Sequence, residues 1–276
     1  MKLTASIVLY KSNINDIKRV IDSIFSCSEH EIMLYLVDNS PTDGLSNLQT
    51  LYSDKAGNLV YIFLNQNIGF GSAHNIAINN AIQSKSKYHL VVNPDIYFSG
   101  DAIDKIVRKM ETNKEVGLIM PKIIYPNREI QYLCKLLATP FDLFVRRFIP
   151  FSTFVERRNE KYEFRFTDYN TEMEIPSLSG CFMTIRTSVL EQIDGFDERY
   201  FMYLEDLDLC RRIGEVSRTL YYPAVSVTHE YEKGSYKNKK LLLYHVSSAI
   251  KYFNKWGWFW DKKRVRVNKN ALLQFK

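Results

Sequence analysis

What this sequence lacks narrows it first. Its four cysteines, Cys27, Cys134, Cys181 and Cys210, stand far apart with no C-x-x-C pair among them. Neither a disulfide framework nor a zinc cluster fits that spacing, and a reducing cytoplasm is the expected compartment. No uncharged apolar run approaches the roughly 18–20 residues that cross a bilayer. The opening LTASIVLY is too short and wrongly flanked for a secretory leader. There is no internal repeat and no low-complexity linker. Neither G-x-G-x-x-G nor a G-K-[ST] ending occurs, so neither a dinucleotide fingerprint nor a P-loop is supported.

What is present is material for a core. The 276 residues are 46% hydrophobic and 14% aromatic, enough for one large α/β domain or a domain with an appendage. The net charge of +6 is concentrated late, in KNKK (237–240) and DKKRVRVNK (261–269). A basic, aromatic end suits an anionic membrane surface and a solvated tail equally. It lacks the spacing of a recognition motif, so no nucleic-acid partner is expected.

Strand and helix periods alternate through the first half. ASIVLY (5–10), IMLYLVD (32–38), LVYIFL (59–64), YHLVV (88–92) and VGLIM (116–120) are predominantly apolar runs, the pattern of strands covered on both faces. Between them, Ile14, Ile17, Val20, Ile21 and Ile24, then Ala73, Ile76, Ala77 and Ala81, then Ile103, Ile106, Val107 and Met110 recur at helical spacing. Such alternation predicts βαβ units and a mostly parallel sheet flanked by helices. It breaks between about 121 and 175, an excursion read as a lid or a surface-seeking segment. Beyond Lys237, a helix and a KWGWFWDKKR end form a helical, basic-aromatic extension. The expected division is therefore 1–236 and 237–276.

Ligands of parallel sheets gather at the C-terminal ends of the strands. The first four tips are Tyr10-Lys11, Asp38-Asn39-Ser40, Asn65-Gln66-Asn67 and Asn93-Pro94-Asp95, all expected to face one crevice. Asp38, followed by NSPTDG, fits a strand-end Asx turn and equally fits an acceptor for the N3–H of a pyrimidine base. NQNIGFGSAHNIAI (65–78) is a glycine-punctuated loop running into a helix, a generic anion cradle. In VVNPD (91–95) the proline ends the strand and turns Asp95 outward, where it is available to a hard divalent cation. One carboxylate makes a poor metal site. His229, in VTHEY at the end of another strand-like run, is the best second ligand, and Mn²⁺ accepts such a mixed shell more readily than Mg²⁺. In YLEDLDLCRR, Glu205, Asp206 and Asp208 at a helix start satisfy the helix dipole. The aromatic stretch ahead of them also suits a carboxylate that takes a proton from a hydroxyl.

Taken together, SIVLYKSN, LVDNSPTDG, NIGFGSAHNIAI, VVNPD, SGCFMTIR, GFDERYFMYLEDLDLCRR and VTHEY resemble, in order, the motifs of family 2 glycosyltransferases, most closely the bacterial rhamnosyltransferase-like branch. The resemblance spans about residues 3–255. It implies a GT-A (Rossmann-like) α/β fold and an inverting transfer of a sugar from a nucleotide-diphosphate donor. By position it implies Asp38 as the base-binding acid and Asn67, Gly69 and Asn75 in the donor loop, with Tyr10 and Glu205 also at the donor site. Gly180 and Cys181 lie in the floor beneath the donor sugar. Asp95 takes the place of the last Asp of the D-x-D metal motif, His229 that of the late metal ligand and Asp206 that of the general base. Asn93 replaces the first acid of D-x-D. The implied cofactor is Mn²⁺ or Mg²⁺ and the first-choice donor dTDP-rhamnose, with UDP-galactofuranose or another UDP-hexose next. The acceptor implied is a growing bacterial surface glycan on a lipid carrier, reached from the inner face of the cell membrane. Two rivals remain on the residues alone. A sugar-nucleotide pyrophosphorylase would carry a glycine-rich loop after strand one, where YKSNIND has no glycine; a non-catalytic scaffold has only Asn93 in its favour.

Overall fold

The computed structural model describes residues 2–27, 29–55, 57–145, 153–230 and 239–275. The parallel half of the sheet comes first. Strands β1 (Lys2–Leu9), β2 (Glu31–Asp38), β3 (Leu59–Phe63) and β4 (Tyr88–Val92) pair in parallel in the order β3-β2-β1-β4. The chain steps outward from β1 to β3, then returns to the other side of β1. That reversal places a switch point between the ends of β1 and β4, the usual ligand crevice of such sheets.

Helix α1 (Ile14–Phe25) is capped by the Asn13 side chain, which accepts from the Asn15 N–H. Ile17, Val20, Ile21 and Ile24 bury one face of it against the sheet. Removing each such side chain from water contributes about 1.5–3 kcal/mol. A single helical turn, α2 (Leu48–Leu51), precedes β3, and α3 (Phe70–Gln83) covers β1 and β2. The other half of the sheet is mixed. After β5 (Ile96–Tyr97) and α4 (Asp101–Thr112), β6 (Val116–Ile124) begins the far half; α5 (Thr153–Tyr162) and β7 (Met173–Glu174) follow. Next come β8 (Phe182–Arg186), α6 (Thr187–Ile193), α7 (Glu205–Val216) and β9 (Arg218–His229). β8 inserts antiparallel between β4 and β6, β9 runs parallel to β6, and β5 and β7 pair antiparallel with β9.

The excursion is part of this body. Cys134, Leu136, Leu137, Ala138, Tyr162, Phe164 and Tyr169 belong to the main buried cluster. Part of it, 146–152, lies outside the described residues, as does the expected boundary at 236/237. The extension forms α8 (Lys239–Trp256) and α9 (Lys262–Leu273). It is tied to α7 by a buried ion pair, Arg211 to Asp261 at 2.7 Å, with the Arg211 guanidinium 4.1 Å over the Trp256 ring. Trp256 and Trp258 are packed, whereas Phe259 and Trp260 are 75% and 95% exposed. Among the described residues no helix is long and apolar enough to cross a membrane.

Candidate active site

The N-P-D turn, the start of β8 and the end of β9 meet at one place. The Asn93 N–H donates to the Cys181 carbonyl at 2.8 Å, holding the β4 tip against β8. Ile96 pairs with His229, and the Glu230 N–H donates to the Asp95 carbonyl at 3.0 Å. Asp95 and His229, 134 positions apart in the chain, thus face each other, with Oδ1 3.3 Å from Nε2. Asp95 Oδ1 is buried and receives no well-aligned hydrogen bond. Burial alone would lower the His229 pKa, yet its contacts with Asp95 and then Cys181 push it up to about 10. The pair therefore attracts positive charge. A carboxylate oxygen opposite an imidazole nitrogen is a ligand pair that fits a divalent ion of the Mn²⁺ type.

Asp206 stands on the first turn of α7, partly open to solvent. Its Oδ2 accepts from the Gly180 N–H at 3.0 Å and its Oδ1 from the Leu207 N–H at 2.8 Å. A Cβ on Gly180 would lie 3.2 Å from that of Asp206. Tyr203 and Leu204, at φ 68° and 64°, turn the chain into the helix through two consecutive left-handed residues without a glycine. Such conformations cost about 1–3 kcal/mol each and cluster where a side chain must be aimed. Beside Asp206, Glu205 is buried and its pKa is pushed well above the carboxylate range, by burial first and the Asp206 charge second. Burial thus disfavours charge on Glu205, and Asp206 is the acid of the two that opens to solvent. A cavity of about 210 Å³ opens beside Asp206, lined by Leu133, Lys135, Ser177, Ser179, Tyr203 and His245 among others.

The remaining positions line the parallel edge. Tyr10 is half exposed at the β1 tip. Asp38 is fully buried, its Oδ1 closing an Asx turn with the Ser40 N–H at 2.8 Å and its Oδ2 accepting from the Tyr61 hydroxyl at 2.7 Å. Gly69 has φ 98°, and a Cβ there would stand 2.5 Å from the Phe201 carbonyl oxygen, so only glycine fits. Its N–H donates to Asn67 Oδ1, and its carbonyl accepts from the Asn39 amide, each at 3.0 Å. The Asn75 amide is committed to the 195–198 loop, through the Phe196 backbone at 2.8 and 2.9 Å and Glu198 at 3.0 Å.

Sequence motifs passed over Gln131, which touches His229, and Tyr61, which touches Asp38; neither sits in a turn or charge pattern that marks it. A separate group, Glu29, His30 and Asp104, lies beyond the opposite end of β2. There Glu29 pairs with Arg108, and Asp104 accepts from the Cys27 thiol at 2.8 Å.

A curled mixed sheet, helices on both faces and a crevice at the parallel strand ends define the GT-A fold of glycosyltransferases. The chain belongs to glycosyl transferase family 2, whose sequence profile matches residues 5–194. It is 25% identical over 260 residues to the N-acetylglucosaminyl-diphospho-decaprenol L-rhamnosyltransferase of Mycobacterium tuberculosis, covering 88% of this chain and 82% of that protein. It is also 25% identical to rhamnosyltransferase WbbL of Escherichia coli K12, covering 73% of this chain and 74% of that one. Solved structures agree on the fold. S. aureus TarS 1-349 superimposes with TM-score 0.56 at 16% identity over 83% of this chain, which spans 60% of that one. GalNAc-T7 with UDP, GalNAc and Mn²⁺ gives 0.64 at 12% identity, over 93% of this chain and 50% of that one. Mannosyltransferase PcManGT from Pyrobaculum calidifontis, with GDP-Man and Mn²⁺, gives 0.56 at 15% identity, over 99% and 74%.

Proposed function

We propose that this glycosyltransferase moves a sugar, with inversion, from a nucleotide-diphosphate donor to a hydroxyl of a lipid-linked bacterial surface glycan. The observation that carries this reading is that the Gly180–Cys181 segment links the two groups: the Cys181 carbonyl holds the turn that sets Asp95 against His229, and the Gly180 N–H holds Asp206. Asp206 accepts the proton of the acceptor hydroxyl as its oxygen bonds to the anomeric carbon. The bond from that carbon to the diphosphate breaks, and the diphosphate leaves with the electron pair. Asp95 and His229 are the residues that would hold a divalent cation, which when bound supplies charge neutralisation for the leaving group. No second carboxylate is needed as a nucleophile, and Glu205 is buried.

At the donor end, a pyrimidine N3–H reaches Asp38 by replacing the Tyr61 hydroxyl on Oδ2 while the Asx turn keeps Oδ1. This contact is the same for uracil and thymine. The two rhamnosyltransferase relatives favour dTDP-rhamnose, with a UDP-hexose or UDP-galactofuranose as the alternative. A lipid-linked acceptor is supported by the lining beside Asp206 and by an apolar cavity of about 1120 Å³ between the excursion and α9, rimmed by Arg157, Lys161 and Lys269. The exposed Phe259 and Trp260 suit contact with the inner membrane face.

The test is a panel of nucleotide sugars screened for thermal stabilisation with Mn²⁺ and with EDTA. A true donor at 100 times its Kd stabilises by about 2.7 kcal/mol. Stabilisation by dTDP-rhamnose that EDTA abolishes is expected; indifference to every nucleotide sugar would refute the reading.

A further inference from the structure

Gln131 grips His229 at two points. Its amide nitrogen donates to the His229 carbonyl oxygen at 2.9 Å, and its amide oxygen sits 3.0 Å from His229 Nδ1. Both residues are 4% exposed. A tight turn delivers the side chain there. The Arg128 N–H donates to the Tyr125 carbonyl, the Tyr125 N–H to the Glu129 carbonyl and the Gln131 N–H to the Ile123 carbonyl, folding 124–131 back along the end of β6 beside β9.

The backbone carbonyl of His229 only accepts, so the NH₂ of Gln131 must face it. The amide oxygen is then forced toward Nδ1, and because that oxygen also only accepts, Nδ1 must carry a proton. The metal-ligating form of the imidazole is the neutral one with a single N–H, so in that form the lone pair falls on Nε2, the atom that faces Asp95. The opposite tautomer would set two lone pairs against each other 3.0 Å apart. We propose that Gln131 is a positioning residue that fixes His229 as the Nδ1–H tautomer and presents Nε2, together with Asp95, to a divalent cation. This rests on the metal reading above and adds to it a residue from the excursion, outside every motif of the sequence.

Outer-sphere partners of ligating histidines typically change metal affinity by roughly 10–100-fold when lost. Mn²⁺ binding to the full chain, without nucleotide, is read from the electron paramagnetic resonance signal of the free ion, with the unfolding temperature of each metal-free form as a control. Gln131→Met removes both bonds at nearly constant volume and should weaken Mn²⁺ binding by roughly 10–100-fold. Gln131→Glu keeps an acceptor for Nδ1–H and should remain within a few-fold of wild type or bind more tightly. A folded Gln131→Met with wild-type affinity overturns the proposal. If Gln131→Met does not fold, Gln131→Glu decides: retained binding supports the proposal, and a tenfold loss overturns it. Wild-type protein that binds no Mn²⁺, or binds it equally well as Asp95→Asn, overturns the metal reading itself and this inference with it.

Discussion

Asp206 and Asp208 sit two residues apart on α7, and the structure assigns them opposite fates on conversion to asparagine. Asp208 is wholly buried and accepts from Arg212 Nε at 2.7 Å, Lys255 Nζ at 2.9 Å and Trp256 Nε1 at 2.7 Å. Breaking a buried ion pair costs about 3–5 kcal/mol. Arg212 keeps the carbonyls of Ile193 and Gly195, and Lys255 keeps Asp197, so neither cation is stranded. The lower end, about 3 kcal/mol, is therefore expected for Asp208→Asn, a fall of roughly 6–12 °C in Tm for a chain of this size. Asp206→Asn retains one of its two backbone contacts and should cost about 0.5–1.5 kcal/mol. Its effect should appear instead in turnover, a loss of roughly 10²–10⁴-fold for a missing general base, with donor affinity unchanged. Calorimetric unfolding, donor titration and transfer rates on the two variants separate the roles. Substantial transfer by Asp206→Asn at wild-type donor affinity, or wild-type stability in Asp208→Asn, would refute the reasoning.

Two further outcomes follow from particular side chains. His74 and His89 are fully buried in a relay with Ser6 and Thr4 at 2.7–2.8 Å, and burial lowers the His89 pKa to about 3 and that of His74 well below its usual value. Their contribution is complete above pH 6.5 and is lost below it as the unfolded chain takes up protons. Near pH 5, where His229 is protonated in both states and drops out, stability should fall by about 1.4 kcal/mol per pH unit for each histidine, and His89→Gln should remove about half of that slope; a flat urea-denaturation profile from pH 6 to 5 would contradict it. Phe259 and Trp260, exposed next to Lys262 and Lys263, should carry the protein upward with anionic vesicles in a flotation gradient, and Phe259→Ser with Trp260→Ser should lose this without loss of fold; wild-type protein left at the bottom would exclude the contact.

The parallel half of the sheet was legible because its strands are buried on both faces, so Ile7–Leu9 and Leu34–Val37 read as unbroken apolar runs. The same logic hid the mixed half. A doubly covered strand such as Phe182–Arg186 has the same composition whichever way it runs, and nothing in FMTIR announces an antiparallel insertion between β4 and β6. Asp95 and His229 were legible as two strand-end residues, but their meeting depends on β5 pairing with β9, two residues long and without a sequence signature. Asp206 and Asp208 were distinguished by resemblance alone. Two residues on a helix are separated by roughly 200° around its axis, so the pair must face opposite ways, yet the sequence does not say which acid meets the crevice. That choice is made by Tyr203 and Leu204, whose left-handed backbone no glycine or asparagine marks.

The excursion was the least legible segment, and its described residues are tied to several parts of the fold. Its breaks in period follow from its path. Gln131 returns along β6 to reach His229, Lys135 bridges to Ser177, and Leu136 donates to the Tyr162 carbonyl. Each contact is to a different element, so no single helical or strand period can serve all of them. Consequently Gln131, in contact with His229, lies only two and four residues from Leu133 and Lys135, which line the cavity beside Asp206. A segment that borders both the proposed cation ligands and the proposed proton acceptor belongs to the proposed site, and a shift in its register should disturb both ends of the reaction at once.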